Sequence, residues 1–175
     1  MVDANKVGKY RVALAYSKIR DEVVERVFGL AARFKQRQRT RHIAVDFLDH
    51  YFLNLRAQNH AVYQQIKDPR TLNLILTTCF ILASKFDEID DQLVFIKDIQ
   101  SYYRSIDLDS RIYKNDDEEQ SIRRGRRLSA IPMYNEIVEC ERHLLEFFEW
   151  NLSFSLCSAL PFLEVYLSHG TLVSI

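Results

Sequence analysis

The stretch TLNLILTTCFILASKF, residues 71–86, decides the fold class of this chain. It contains a single charged residue, Lys85, and no acidic residue. Asp68 and Pro69 come shortly before it, and this pair predicts a helix N-cap followed by a proline at the first helical position. A short helix that is apolar on all sides is typical of the centre of a helical bundle. The stretch therefore predicts a central helix around which the others pack.

Four further helices are predicted on either side of this central one. Apolar residues at helical spacing indicate amphipathic helices over residues 20–35 and 132–149. A broader apolar set indicates a helix that runs from Thr40, as its N-cap, to about residue 55, and a weaker pattern indicates one over residues 92–104. The chain has only 4 Gly and 3 Pro residues, too few to form the turns between the many short strands of a β-sandwich or barrel. The expected fold class is all-α.

The charge and cysteine content favour a soluble intracellular domain. Lys plus Arg equals Asp plus Glu at 24 each, so the bulk charge indicates neither a nucleic acid nor a membrane surface as partner. No apolar stretch approaches the roughly 18 residues that a membrane helix needs. The three cysteines are odd in number and lack metal-ligand spacing, which favours a reducing compartment. We expect the nucleus, the cytoplasm or both.

Residues 107–130 break the helical pattern. Twelve of these 24 residues are charged, six of each sign, and they are grouped in blocks. A loop of this length inside a compact domain is either disordered or functional. We therefore expect a long charged insertion before the fifth helix.

One carboxylate interrupts the apolar stripe of that fifth helix. Glu141 lies on the same helical line as Ile137, Leu144 and Phe148. An unpaired charge at such a position is costly, so Glu141 needs a partner. If the central helix packs against the fifth, Lys85 can supply it.

Three motifs in order resemble the cyclin box, the five-helix fold of cyclins, over about residues 19–156. HIAVDFLDHYF (42–52) is similar to the second helix of that box and LILTTCFILASKFDEID (74–90) to the third helix with its exit turn. ECERHLLEFFEWNLSF (139–154) is similar to the fifth helix. On this resemblance, residues 1–18 form an N-terminal extension with a short helix predicted over 9–18. Residues 157–175 form a linker and the start of a second box, in a fragment, a truncated gene model or a single-box cyclin.

The resemblance implies a regulatory subunit that binds and activates a cyclin-dependent kinase by positioning its regulatory helix. It implies that Lys85 and Glu141 hydrogen-bond kinase backbone. Taken singly, Lys85 is favoured as a helix-dipole cap and Glu141 as a rim carboxylate, and the family register reverses this preference for the pair. No obligate homo-oligomer, membrane partner or cofactor is expected. The full set of expected kinase-binding residues is Lys85, Glu141, Phe86, Glu88, Ile89, Leu145 and Phe148. The four apolar residues of this set are candidates for an exposed patch on the third and fifth helices, although residues of this kind are more often core than interface.

The chain departs from cell-cycle cyclins at the substrate-docking patch. The apolar positions of that patch on the first helix would be Ile19, Val23 and Arg26, where the family has a tryptophan at the last of the three. Because a guanidinium cannot supply the apolar surface of that ring, we expect weak or absent docking of Arg-x-Leu substrates.

Two other interpretations are weighed against the kinase regulator. General transcription factors of the TFIIB type share the cyclin-box architecture and bind DNA through basic surfaces. Here only the run Arg33, Lys35, Arg37, Arg39 and Arg41 could serve, and a solvated connection or a surface for phosphorylated partners is favoured over DNA. An enzyme is not expected, because the common nucleotide-binding and zinc motifs are missing.

The insertion also contains a candidate phosphosite. Ser129 follows Arg126-Arg127-Leu128, a pattern typical of basophilic kinase sites, and a phosphate there would lie near the start of the fifth helix. A solvated charge run with an incidental serine is the favoured interpretation.

Overall fold

Five α-helices make up the part of the chain that the structure describes, which is residues 14–55, 68–112 and 132–153 of a computed structural model. Within these ranges there is no strand, and the all-α prediction is confirmed. A helical turn at 14–17 precedes the first helix, and a short 3₁₀ turn, Asp90–Gln92, lies between the third and fourth. The helices are α1 (Arg20–Arg33), α2 (Gln38–Asn54), α3 (Pro69–Asp87), α4 (Ile96–Ile112) and α5 (Tyr134–Phe147).

Helix α3 is the centre of the bundle, as predicted from its apolar sequence. It packs against α1, α2 and α5, while α4 packs on α5. Every residue of α3 from 75 to 84 is buried, and Leu76, Cys79, Phe80 and Ile81 have no exposed surface. A helix that contacts neighbours on several sides needs apolar residues all round, which is what residues 71–86 provide.

The predicted start of α3 is confirmed in detail. The Asp68 carboxylate accepts hydrogen bonds from the Thr71 hydroxyl (2.5 Å) and from the backbone N–H groups of Thr71 (3.1 Å) and Arg70 (3.3 Å). The bond from the Thr71 hydroxyl is the main reason why the pKa of Asp68 lies below its ordinary value. Pro69 occupies the first helical position, where no backbone donor is needed.

Thr40 is not the N-cap of α2, so that prediction was wrong. The helix begins at Gln38, with Arg37 as its N-cap residue, three residues before the predicted cap. The Thr40 hydroxyl is fully buried and lies 2.8 Å from Asp87 and 2.5 Å from Glu88 at the end of α3, so the two carboxylates share its one donor hydrogen. Hydrogen bonds to charged carboxylates are stronger than bonds to neutral acceptors, and tertiary contact has therefore replaced the local cap.

The bounds of α4 also differ from the prediction of residues 92–104. The helix starts at Ile96, because residues 90–92 form the 3₁₀ turn and the Asp98 carboxylate accepts from the Phe95 backbone N–H (3.3 Å). It continues to Ile112, so residues 107–112 are helical rather than part of a charged loop. The remainder of the expected insertion lies outside the described residues.

Helix α5 spans a shorter range than the predicted 132–149. Its first turn is capped by Glu136, whose carboxylate accepts from the Met133 backbone N–H (2.8 Å). Ile137 and Leu144 are fully buried and form the face that α5 turns toward the core. The position of Glu141 between them determines the geometry of the site described next.

Candidate functional site

Lys85 and Glu141 form an ion pair between α3 and α5. The distance from Lys85 Nζ to Glu141 Oε1 is 2.5 Å. Lys85 stands in the last turn of α3, and Glu141 stands in the middle of α5, which packs directly against α3. The sequence predicted that Glu141 needs a partner. That partner is Lys85, the only charged residue of the central apolar stretch.

The ion pair is accessible from solvent. The Lys85 side chain is 48% exposed and the Glu141 side chain 16% exposed. An ammonium has three donors and a carboxylate has two acceptor oxygens, so the contact between them leaves hydrogen-bonding capacity on the solvent side. The pair can therefore present both a donor and an acceptor to another molecule.

Phe86 and Ile89 follow Lys85 closely in the sequence and were assigned to the site. Both are exposed in the structure. Ile89 is 63% exposed and Phe86 36% exposed, with the Phe86 ring 6.3 Å from that of Phe47. Leu145, one turn after Glu141, is partly buried against the core. Phe86 and Ile89 thus offer exposed apolar surface within four residues of Lys85 in the sequence.

Phe148 belongs to the core and not to this exposed surface. It is only 4% exposed, and its ring lies 5.5 Å from Phe47 and 5.8 Å from His50. Phe148 follows the buried Leu144 by four residues, so the two share the inward line of α5. This spacing was readable in the sequence, and it explains why Phe148 cannot join the exposed patch that was expected there.

Glu88 is engaged inside the chain. Its side chain has no exposed surface, and it accepts from the Arg37 backbone N–H (2.8 Å), from Arg37 Nε (2.8 Å) and from the Thr40 hydroxyl (2.5 Å). Burial raises the pKa of Glu88, but the hydrogen bonds from Thr40 and Arg37 together outweigh burial and leave the pKa below its ordinary value. Glu88 is therefore an ionised, fully bonded carboxylate without a free face for a partner protein.

Other exposed apolar residues near the pair were not assigned from the sequence. Val138 and Tyr134 precede Glu141 on α5 and are 41% and 60% exposed, while Trp150 follows the helix and is 67% exposed. The sequence signal for Tyr134 and Val138 was their spacing from Glu141. Positions 134, 138 and 141 follow one another at intervals of four and three residues, which places them on one side of a helix. Tyr134 and Val138 therefore lie on the same side of α5 as Glu141.

Two charges of the basic run are paired with acids at the end of α3. Arg37 contacts Asp87 (3.5 Å) and Glu88 (2.8 Å), and Arg39 contacts Asp87 (3.2 Å). Arg41 donates to the backbone carbonyl of Gln36 (3.3 Å). Because two of its five charges are already neutralised, the run offers less positive potential to nucleic acid than its sequence suggests.

The expected docking positions on α1 do not form an exposed apolar patch. Val23 is 1% exposed and belongs to the core, and Ile19 is partly buried. The Arg26 guanidinium donates to Asn73 Oδ1 (2.8 Å), which also accepts from the Tyr103 hydroxyl (3.0 Å). A polar network thus stands at the position where a docking patch needs an aromatic ring.

In the described ranges, no three His, Cys, Asp or Glu side chains are grouped so as to hold a metal ion. His143 Nε2 lies 3.4 Å from the Tyr51 hydroxyl. None of the described helices combines the length and the apolar character needed to cross a bilayer. Ser129 and residues 1–13 and 157–175 lie outside the described residues, so the predictions made for them stay predictions.

Comparison with known proteins identifies one family. The family model described as the cyclin N-terminal domain matches residues 10–153, a range that contains all five helices, Lys85 and Glu141. Searches of curated proteins and of solved structures gave no match. The matched range covers far more than half of the 175 residues. The chain therefore belongs to the cyclin family, whose N-terminal domain is regulatory rather than catalytic.

Proposed function

We propose that this protein binds and activates a cyclin-dependent serine/threonine kinase by holding the kinase's regulatory helix in its active position. The observation that supports this most directly is the exposed ion pair of Lys85 and Glu141, with Phe86 and Ile89 exposed nearby. A charged donor and acceptor within an apolar surface is suited to recognising polypeptide backbone, because backbone offers both a carbonyl and an N–H group.

The energetics of the pair favour a role in binding over a role in folding. A salt bridge with one half-exposed partner contributes about 0–1 kcal/mol to stability. When a partner protein covers the same pair, water is excluded, and each missing hydrogen bond then costs about 1–3 kcal/mol. The pair thus matters little for the isolated domain and much for a complex.

The mechanism is a shift of population in the kinase. An active kinase needs an ion pair between a lysine at the nucleotide site and a glutamate on its regulatory helix, and the position of that helix controls the pair. A subunit that binds only the inward position of the helix favours that state by its difference in affinity. Shifting the regulatory helix from a 1:99 to a 99:1 ratio of inward to outward positions takes a difference in binding free energy of about 5.5 kcal/mol. A surface with charged and apolar anchors can supply this difference.

The experiment uses purified cyclin-dependent kinase catalytic subunits, each mixed with the full chain. Transfer of labelled phosphate from ATP to a serine-containing peptide is measured with and without the chain. We expect at least one subunit to be stimulated, with saturation at micromolar or lower concentrations of the chain. A folded chain that neither binds nor stimulates any subunit would overturn the proposal.

A further inference from the structure

A cluster of four polar residues connects the start of α2 to the end of α3. We call Arg37, Thr40, Asp87 and Glu88 the α2–α3 clasp. Both Glu88 oxygens are bonded, Oε1 to the Arg37 backbone N–H and the Thr40 hydroxyl, and Oε2 to Arg37 Nε. Asp87 lies 2.8 Å from the Thr40 hydroxyl and 3.5 Å from Arg37 Nη2.

The acidic half of the clasp is sealed from solvent. The side chains of Glu88 and Asp87 are 0% and 5% exposed, and Thr40 is 0% exposed, whereas the Arg37 side chain is 49% exposed. Buried carboxylates persist only when they are paired and hydrogen-bonded, so these contacts fix the acids in place. An incoming protein can reach Glu88 only by breaking the clasp.

The clasp holds the chain between Phe86 and Ile89, two exposed residues of the proposed kinase-binding surface. Phe86 precedes Glu88 by two positions, and the exposed Ile89 follows it directly. The Glu88 backbone N–H donates to the Ser84 carbonyl (2.9 Å), which ends α3. Fixing the Glu88 side chain therefore fixes the backbone from which Phe86 and Ile89 project.

The segment after Glu88 is held by the same part of the chain. Lys35 adopts a left-handed conformation with φ 54°, and the next residue, Gln36, is turned into the interior and is only 2% exposed. Gln36 Nε2 donates to the Gln92 carbonyl (2.7 Å), and the Val94 N–H donates to the Ser84 hydroxyl (3.0 Å). The exit of α3 is thus fastened on both sides of Ile89.

We infer that Glu88 acts in kinase binding as a positioning residue, held by Arg37 and Thr40 so that α3 ends with Phe86 and Ile89 in place for the kinase. The inference rests on the proposed function. Glu88 was expected to contact the kinase directly. Because its side chain is enclosed by its own chain, its role is instead to hold the neighbouring residues in place. It also gives the basic run a role, since Arg37 supplies two of the bonds to Glu88.

The first test measures affinity for a cyclin-dependent kinase subunit that the native chain stimulates. Glu88→Gln replaces a charged acceptor with an amide, and Arg37→Ala removes the guanidinium while keeping the backbone N–H. We expect each to weaken binding about tenfold, at a temperature where circular dichroism shows the variant to be folded. Arg70→Ala is the matched control, because it breaks an exposed pair with Glu136 at the opposite end of α3 (2.6 Å) and should leave the affinity unchanged.

The second test separates positioning from a general effect on the fold. Glu88→Gln is repeated in a chain that also carries Phe86→Ala and Ile89→Ala. If Glu88 acts through these side chains, its substitution should then change the affinity less than about twofold. An equal loss of affinity in both backgrounds would overturn the inference, since an effect that does not depend on Phe86 and Ile89 is not positioning of them.

The outcomes keep the inference distinct from the proposed function. If Lys85→Ala with Glu141→Ala weakens binding while folded Glu88→Gln and Arg37→Ala bind like the native chain, the positioning role is wrong and the regulatory function stands. If none of these changes affects binding, both are wrong. If Glu88→Gln does not fold, Arg37→Ala decides, because it leaves the Thr40–Glu88 bond intact.

Discussion

Lys85 and Glu141 are 56 residues apart in sequence, yet their side chains meet with Nζ and Oε1 separated by 2.5 Å. The contact depends on how α3 packs against α5, so it reports the tertiary arrangement of the cyclin domain. It also lies where the bundle ends and solvent begins, since the Lys85 side chain is about half exposed. A specific, accessible pair of opposite charges is what a protein partner can recognise.

The central position of α3 predicts a large penalty for truncating its core residues. Leu76→Ala should lower the free energy of unfolding by about 2–5 kcal/mol, because Leu76 is fully buried and its removal leaves a cavity. Urea denaturation followed by circular dichroism measures the change. Leu53→Ala is the control, since Leu53 is 43% exposed and should cost much less. Equal costs at the two positions would contradict the placement of α3.

Asp46 predicts a measurable dependence of stability on pH. Its Oδ2 atom is buried without a hydrogen-bond partner among the described residues, and Asp49 lies nearby, bonded to Tyr16 and Arg20. Burial, followed by repulsion from Asp49, raises the pKa of Asp46 from 3.8 to about 6, although Arg20 opposes the rise. The folded chain therefore binds more protons than the unfolded chain between these two values. In that window Asp46 lowers the free energy of unfolding as pH rises, and above it the penalty is constant.

Asp46→Asn tests this assignment because it removes the charge at the same site. The variant should be about 1 kcal/mol more stable than the native chain at pH 7, a value reduced from the full shift because the site is partly solvated. The gain should shrink toward zero near pH 4. Urea denaturation at the two pH values measures both differences. A variant that is less stable at pH 7, or a gain that does not depend on pH, would show that Asp46 is not a strained carboxylate.

Substrate docking through an Arg-x-Leu motif should be weak or absent. Val23 is buried and Arg26 is bonded to Asn73, so the expected patch on α1 has no continuous apolar surface. Fluorescence polarisation with a labelled Arg-x-Leu peptide measures the affinity. Binding at micromolar concentrations would contradict this prediction.

Duplex DNA should not bind the chain at physiological salt. Asp87 and Glu88 neutralise Arg37 and Arg39, which lowers the positive potential of the basic run. Binding by phosphate contacts alone would also weaken steeply as salt rises. A gel shift at low and at physiological salt tests this, and a complex that persists at the higher salt would support the transcription-factor interpretation instead.

Sequence reasoning succeeded where the determining signals were local or unique. The cap at Asp68 and the central position of α3 follow from adjacent residues and from an uninterrupted apolar stretch. The Lys85–Glu141 pair could be anticipated because each charge stood alone in an apolar setting. Such charges need a partner wherever the fold places them, and the family register indicated which helices meet.

The errors arose where distant residues competed with a local signal. Thr40 has the chemistry of an N-cap, but its acceptors are 47 and 48 residues away and become visible only when α2 and α3 are packed. Glu88 was assigned to the surface for the same reason, since nothing in its neighbourhood in the sequence identifies Arg37 as its partner. By contrast, the burial of Phe148 agrees with the apolar stripe on which the sequence already placed it, four residues after Leu144.

Titration calorimetry of the Lys85→Ala, Glu141→Ala double variant against a kinase subunit that the native chain stimulates tests the central claim most directly. Arg142→Ala serves as the control, because Arg142 is an exposed charge next to Glu141. We predict that the double variant melts within a few degrees of the native chain, since an exposed pair adds little stability, and that it binds at least about 100-fold more weakly, with activation lost. A folded double variant that binds and stimulates the kinase as the native chain does would contradict the account.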